Sequence, residues 1–311
     1  MIRLHSGPVQ AVVLPALGGR LISLRHSSRE FLWHDPSLLD DAFRPRVPVT
    51  PQPAGSPMES WQNWGGDKSW PAPQARGIAD VGWHGPPDDV FDGGVYEVLD
   101  RRSEDTIRLR SAVDARTGLQ QTRTIVLTDV GARIKTTITN RSTQPRTFAP
   151  WEVMQVAVDV EDETNGAIEV ECAGGCRVAE LVRWWGHVRI ARKRDAVSIG
   201  FGDAVAKLGF PDATGRVRCR FADGARLALS FTPSPVAPES APFQLWLQTP
   251  LARAPEDSGG WRPMHRLIEL EPVGALTDLA PGESASVTAD WTLLAEQRRS
   301  PTRVPKLRSG T

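Results

Sequence analysis

Residues 119–139 read LQQTRTIVLTDVGARIKTTIT. Polar and apolar residues alternate through Thr122-Arg123-Thr124-Ile125-Val126-Leu127 and again through Arg133-Ile134-Lys135-Thr136-Thr137-Ile138-Thr139. Asp129-Val130-Gly131 supplies the turn between them. A period of two predicts paired antiparallel strands with one wet face, over Leu119–Leu127 and Ala132–Thr139. Strand-length runs recur before this pair at Val9–Leu14, Leu21–Leu24, Phe31–Trp33, Val95–Leu99 and Thr106–Ala112. After it come Arg146–Val158, Ile168–Cys172, Val188–Arg192, Val197–Phe201, Ala204–Gly209, Val217–Phe221, Arg226–Phe231, Phe243–Gln248, Arg266–Pro272 and Ser284–Leu294. No stretch carries an amphipathic helix of three turns. About sixteen strands with almost no helix predict an all-β fold, a large sandwich or barrel of mostly antiparallel strands. No linker stands out before Glu296, so residues 1–295 read as one β domain. Residues 296–311, basic and rich in Pro and Ser, read as a disordered tail.

Lys plus Arg and Asp plus Glu both total 37, so the net charge is zero. A nucleic-acid binder carries a basic excess or stripe, and none is visible. No stretch approaches the length of a membrane span and the start lacks a signal-peptide pattern, so a soluble, cytoplasmic protein is expected. Cys172, Cys176 and Cys219 are odd in number and read as reduced thiols rather than a disulfide framework.

Two stretches carry candidate chemistry. Residues 61–94 read WQNWGGDKSWPAPQARGIADVGWHGPPDDVFDGG and hold four of the eleven tryptophans. No period of 2 or 3.6 fits, so the stretch is expected to be a long ordered loop, the kind that is usually functional, forming one wall of a binding site. Trp61, Trp64, Trp70 and Trp83, with Trp184 and Trp185, can stack on the flat face of a ligand or fill the loop's own small core. Arg20 and Lys68 can bond the oxygens of a ligand or simply pair with acids. Asp88, Asp89 and Asp92 can in principle hold calcium, although acids in a loop are usually solvated and no metal site is expected. The second stretch is Met264-His265-Arg266-Leu267-Ile268-Glu269-Leu270-Glu271-Pro272. On a strand His265, Leu267, Glu269 and Glu271 share one face and Ile268 and Leu270 the other. Two carboxylates roughly 7 Å apart on one face must meet water, a cation or a site. Such a pair can raise one pKa and prepare a general acid or base.

Ile268-Glu269-Leu270-Glu271-Pro272-Val273-Gly274, then Leu279-Ala280-Pro281-Gly282-Glu283-Ser284, then a closing strand to Trp291-Thr292-Leu293-Leu294 resembles the end of galactose mutarotase-like proteins, the superfamily of the aldose 1-epimerases. Leu17-Gly18-Gly19-Arg20-Leu21 followed by Phe31-Leu32-Trp33 resembles their opening. Gly65-Gly66-Asp67-Lys68-Ser69-Trp70-Pro71-Ala72-Pro73-Gln74 is similar to one branch, the DUF4380 family, and Asn140 through Trp151 resembles its mid-chain strand pair. The resemblance implies a β-supersandwich with a small carbohydrate bound in a cleft and no cofactor. It implies anomer interconversion by acid–base ring opening, with Glu271 as base and Glu269 beside it. The family's acid is a mid-chain histidine, whereas here Phe148-Ala149-Pro150-Trp151-Glu152 has none. His84, His187, His265 and Glu152 are the candidate replacements, and each also fits a structural or surface role. Arg20, Lys68, Trp70, Trp151, Glu152, His187 and His265 are the expected substrate-binding set. The rival readings are a non-catalytic carbohydrate-binding protein and a sugar lyase or hydrolase on the same fold.

Overall fold

The computed structural model describes residues 1–53, 56–73, 89–101, 103–236 and 240–295. His84, Trp83, Asp88 and the expected tail at 296–311 lie outside the described residues. In chain order the strands are β1 (Ile2–Ser6), β2 (Val9–Leu14), β3 (Arg20–His26), β4 (Arg29–Glu30), β5 (Asp67–Ala72), β6 (Glu97–Asp100) and β7 (Thr106–Val113). Then come β8 (Leu119–Thr128), β9 (Gly131–Asn140), β10 (Arg146–Ala157), β11 (Ala167–Cys172), β12 (Ala179–His187), β13 (Ile190–Arg192) and β14 (Ala196–Gly200). The last are β15 (Asp203–Gly209), β16 (Ala213–Arg220), β17 (Arg226–Phe231), β18 (Phe243–Gln248), β19 (Leu267–Pro272), β20 (Thr277–Leu279) and β21 (Ser284–Leu294). Two four-residue helices, α1 (Asp89–Asp92) and α2 (Asp162–Asn165), are the α-helical segments among the described residues.

Two antiparallel sheets pack face to face. The first runs β1-β2-β3-β5-β10-β19-β18-β15-β12, with β4 on β3 and β20 on β10. The second runs β13-β14-β11-β16-β17-β21-β9-β8-β7-β6. The chain is thus an all-β sandwich. Its main core draws on both sheets, from Leu21, Met154, Leu245 and Ile268 in the first to Ile125, Ile134, Leu229 and Trp291 in the second. The second sheet keeps one wet face: β16 alternates strictly between buried and exposed positions, and β8 nearly so. The central strands β5, β18 and β19 are buried at every position instead. One face of each meets the core, and the other lies under loops that cross the first sheet. That second buried face holds the candidate site.

The structure departs from expectation inside residues 61–94. Asp67–Ala72 is strand β5, paired with β10 over six residues. Its sequence, DKSWPA, offers no apolar alternation, because the polar side chains on both faces find buried partners. Gly65 and Gly66 lead into it with φ of 92° and 77°. A Cβ at Gly66 would stand 2.5 Å from the Leu21 carbonyl oxygen, so this crossing of β3 requires glycine. β12 escaped notice because bulges at Glu180/Val182 and Arg183/Trp185 break its period. Phe31–Trp33 forms no strand and contributes an isolated bridge from Leu32 to Val156.

Candidate active site

Glu271 and Glu269 lie on β19 and face away from the main core, while Ile268 and Leu270 enter it. Cross-strand register sets their neighbours. Glu269 stands opposite Gln155 on β10 and Trp246 on β18, and Trp246 stands opposite Lys207 on β15. Glu271 stands opposite Gln244. Two lysines reach this pair, each across one intervening strand. Lys207 Nζ lies 2.9 Å from Glu271 Oε2, and Lys68 Nζ lies 3.5 Å from Glu269 Oε1. A buried carboxylate without a partner costs several kcal/mol. Here two carboxylates and two ammonium groups balance in charge, and so tolerate a face that is almost entirely buried.

The hydrogen bonds of the two acids differ. Glu269 Oε1 accepts from Gln155 Nε2 at 2.5 Å as well as from Lys68. Glu271 Oε2 accepts from Trp151 Nε1 at 2.9 Å and from Lys207, whereas its Oε1 has no partner among the described residues. Burial raises the Glu271 carboxyl most; Lys207 pulls it back, and the Glu269 charge pushes it up again, to about 7. Burial also lowers the Lys68 ammonium, against the opposing pull of Glu269. Aromatic rings enclose both cations. Lys207 Nζ lies 4.3 Å from the centroid of Trp151, and Lys68 Nζ lies 5.0 Å from that of Trp70. Trp151, Trp70 and Trp61 meet edge to face, at 5.4 and 6.1 Å between centroids.

Of the expected binding residues, Lys68, Trp70 and Trp151 stand together with Glu269 and Glu271. Arg20 does not join them. It is fully buried, and its guanidinium is spent on the carbonyls of Leu17, Gly65 and Asp92 and on the Asp92 carboxylate. The Asp92 oxygens also accept from Trp61 and Trp70, so this acid anchors the tryptophan cluster. Glu152 does not line the site either. Consecutive strand residues face opposite ways, so beside Trp151 it points between the sheets, to Arg123 and to Thr136 Oγ1 at 2.6 Å. His187 ends β12 exposed, in a depression with Trp185 and Asp203. His265 stands just before β19, 3.4 Å from Asp35 and packed on Trp33 at 5.3 Å. His84 lies outside the described residues, so no described histidine stands beside Glu271.

Sequence reasoning missed Lys207, Gln155 and Trp246. Lys207 interrupts the otherwise apolar run Ala204–Gly209, and every other residue of that strand after Asp203 is buried. A lone lysine in such a strand is the available signal, but its partner lies 64 residues onward, across β18. Among the described residues no group of three or more His, Cys, Asp or Glu is placed to hold a metal ion. The three cysteines are free and buried. No helix among the described residues is long and apolar enough to cross a membrane.

By sequence, no family model and no curated protein matches the chain significantly, so the DUF4380 resemblance stands on the quoted residues alone. Solved structures do match along nearly the whole chain. A candidate aldose 1-epimerase of Escherichia coli K12 is 15% identical with a TM-score of 0.57, over 95% of this chain and 99% of that one. A galactose mutarotase-like protein from Lactobacillus casei is 14% identical with a TM-score of 0.59, over 94% and 100%. The Slr1438 protein of Synechocystis sp. is 13% identical with a TM-score of 0.63, over 94% and 95%. The chain therefore has the galactose mutarotase-like fold, a β-sandwich shared with proteins of the aldose 1-epimerase type.

Proposed function

We propose that the protein interconverts the anomers of a free sugar or sugar derivative, with Glu271 as base and Lys207 as its acid partner. One observation carries the reading: a fully buried carboxylate, held near pKa 7, keeps one oxygen without a partner while its other oxygen is fixed by Trp151 and Lys207. Glu271 Oε1 is thus left to accept the proton of the anomeric hydroxyl. The anomeric and ring oxygens share one carbon, so a carboxylate and an ammonium in contact can serve both. Glu271 removes the hydroxyl proton, Lys207 gives a proton to the ring oxygen, and the bond from the anomeric carbon to that oxygen breaks. The open-chain aldehyde turns about its first carbon–carbon bond. On closure the chain hydroxyl attacks the other face and returns its proton to Lys207, while Glu271 reprotonates the aldehyde oxygen. Each such group typically contributes on the order of 10²–10⁴-fold. Glu269, held by Lys68 and Gln155, acts on Glu271 through its charge. Its like charge supports a carboxylate poised near neutrality rather than fixed in the ionised form.

The absence of a described histidine beside Glu271 favours a second reading, a protein that binds sugar without turning it over. Saturation-transfer NMR over a panel of aldoses separates the two. Acceleration of anomer exchange for at least one sugar is expected. Glu271→Gln should lose 100-fold or more of that rate while still binding the sugar. Binding with no acceleration anywhere in the panel leaves only the binding reading. A fully active Glu271→Gln variant removes Glu271 as base.

A further inference from the structure

The outer face of the first sheet carries a second aromatic cluster that the ring-opening chemistry does not use. Trp246, buried on β18, meets Trp184 of β12 at 5.4 Å and Trp261 at 6.3 Å; Trp184 and Trp261 lie 5.7 Å apart. Trp33 and Leu267 pack into the same group. Trp33, Trp184 and Trp261 are each only partly buried. This cluster lies on the opposite side of the acid pair from Trp61, Trp70 and Trp151. Gln155 stands four residues beyond Trp151 on β10, about 13 Å further along the strand. It is level with Trp246, with Glu269 between them. A pyranose ring that presents its anomeric carbon to Glu271 is too short to cover both clusters.

A second observation points to a ligand at that level. Gln155 is fully buried and gives its amide N–H to Glu269, yet its Oε1 has no partner among the described residues. A buried acceptor left unmatched is destabilising until a donor meets it. With Glu271 Oε1 it makes two unmatched acceptors, one level with each end of the acid pair. Aromatic faces beside hydroxyl-accepting groups suit a sugar ring, which presents C–H faces between its hydroxyls.

We propose that the site takes a sugar of at least two rings. The reducing-end ring lies at Glu271 and Lys207, and the next ring lies on Trp184 and Trp261, which Trp246 backs, with a hydroxyl donated to Gln155 Oε1. This inference rests on the anomer-exchange reading and narrows its substrate to reducing disaccharides or longer glycans.

Isothermal titration on the full-length chain tests it. Maltose, cellobiose and lactose are compared with D-glucose, mannobiose with D-mannose, and xylobiose with D-xylose. At least one disaccharide is expected to bind tenfold or more tightly than its own reducing-end monosaccharide. In Trp261→Ala that ratio should fall by about threefold or more, because a stacking face of the second ring is lost while the reducing-end site is untouched. Monosaccharides that bind, and whose anomers exchange, with no disaccharide preferred would overturn the second subsite while leaving the function intact. A preference that persists in Trp261→Ala would also overturn it. If no member of the panel binds, both the subsite and the function beneath it fall. The wild-type ratios decide the matter even if Trp261→Ala does not fold.

Discussion

Three influences compete for one proton at Glu271. Burial raises its pKa most, the Lys207 ammonium at 2.9 Å lowers it, and Glu269 raises it again, leaving it at about 7. A base must be ionised to act, so kcat/KM for anomer exchange should climb as pH rises through about 7 and level off above it. Trp151 adds a smaller effect in the same direction as Lys207, because its indole N–H bonds the charged form. Trp151→Phe keeps a ring at that position and removes the donor. The midpoint of the climb should therefore move to higher pH, with the plateau less affected. A midpoint that stays put or moves down would show that this hydrogen bond does not govern the carboxylate. Period-two reading of residues 264–272 was enough to place Glu269 and Glu271 on one face opposite Ile268 and Leu270. It could not supply Lys207 or Gln155, because a strand's own alternation says nothing about its neighbours across the sheet. Nor could it separate Trp151 from Glu152: both are buried, and only the three-dimensional partner distinguishes the site face from the inter-sheet face.

Among the elements, β5 and β10 carry the lysine and the tryptophan of the site on one face and a buried charge group on the other. Arg123 of β8 crosses from the second sheet to bond the carboxylates of Asp67 and Glu152 and the carbonyls of Gly19 and Asp67. Two carboxylates around one guanidinium leave an excess negative charge in the core. Burial and the neighbouring Glu152 accordingly push Asp67 well above the usual carboxylate range, against the pull of Arg123. Asp67→Asn removes one of the two competing carboxylates while keeping its shape and should shift the unfolding free energy by less than about 1 kcal/mol. Arg123→Leu leaves both buried carboxyl groups without their cation and should cost about 3–5 kcal/mol. Urea unfolding of the two variants checks the contrast; equal losses would show that the Asp67 carboxylate is needed as much as the Arg123 guanidinium. Most strands were legible from alternation and turn residues, above all in the second sheet, where one face is wet. β5 was not, since DKSWPA draws its burial from partners such as Arg123, Gln121 and Glu269, which no local pattern announces.

In the whole molecule the two sheets are unequal in chemistry but joined in energetics. Of the described tryptophans, Trp291 alone belongs to the second sheet; the others lie on or over the first. Tryptophan fluorescence therefore reports chiefly on the sheet that carries the site, whereas far-ultraviolet circular dichroism reports on both. A shared core in which Leu245 and Ile268 pack with Leu229 and Ile134 ties the two sheets together. Unfolding in urea should thus be one cooperative transition with coincident midpoints by the two probes. A sugar that binds the native site at about 100 times its Kd should then raise stability by about 2.7 kcal/mol. It should move both curves together, although it touches one sheet only. Separate midpoints, or a sugar that shifts the fluorescence curve alone, would show that the sheet bearing Glu271 can open while the other stays folded.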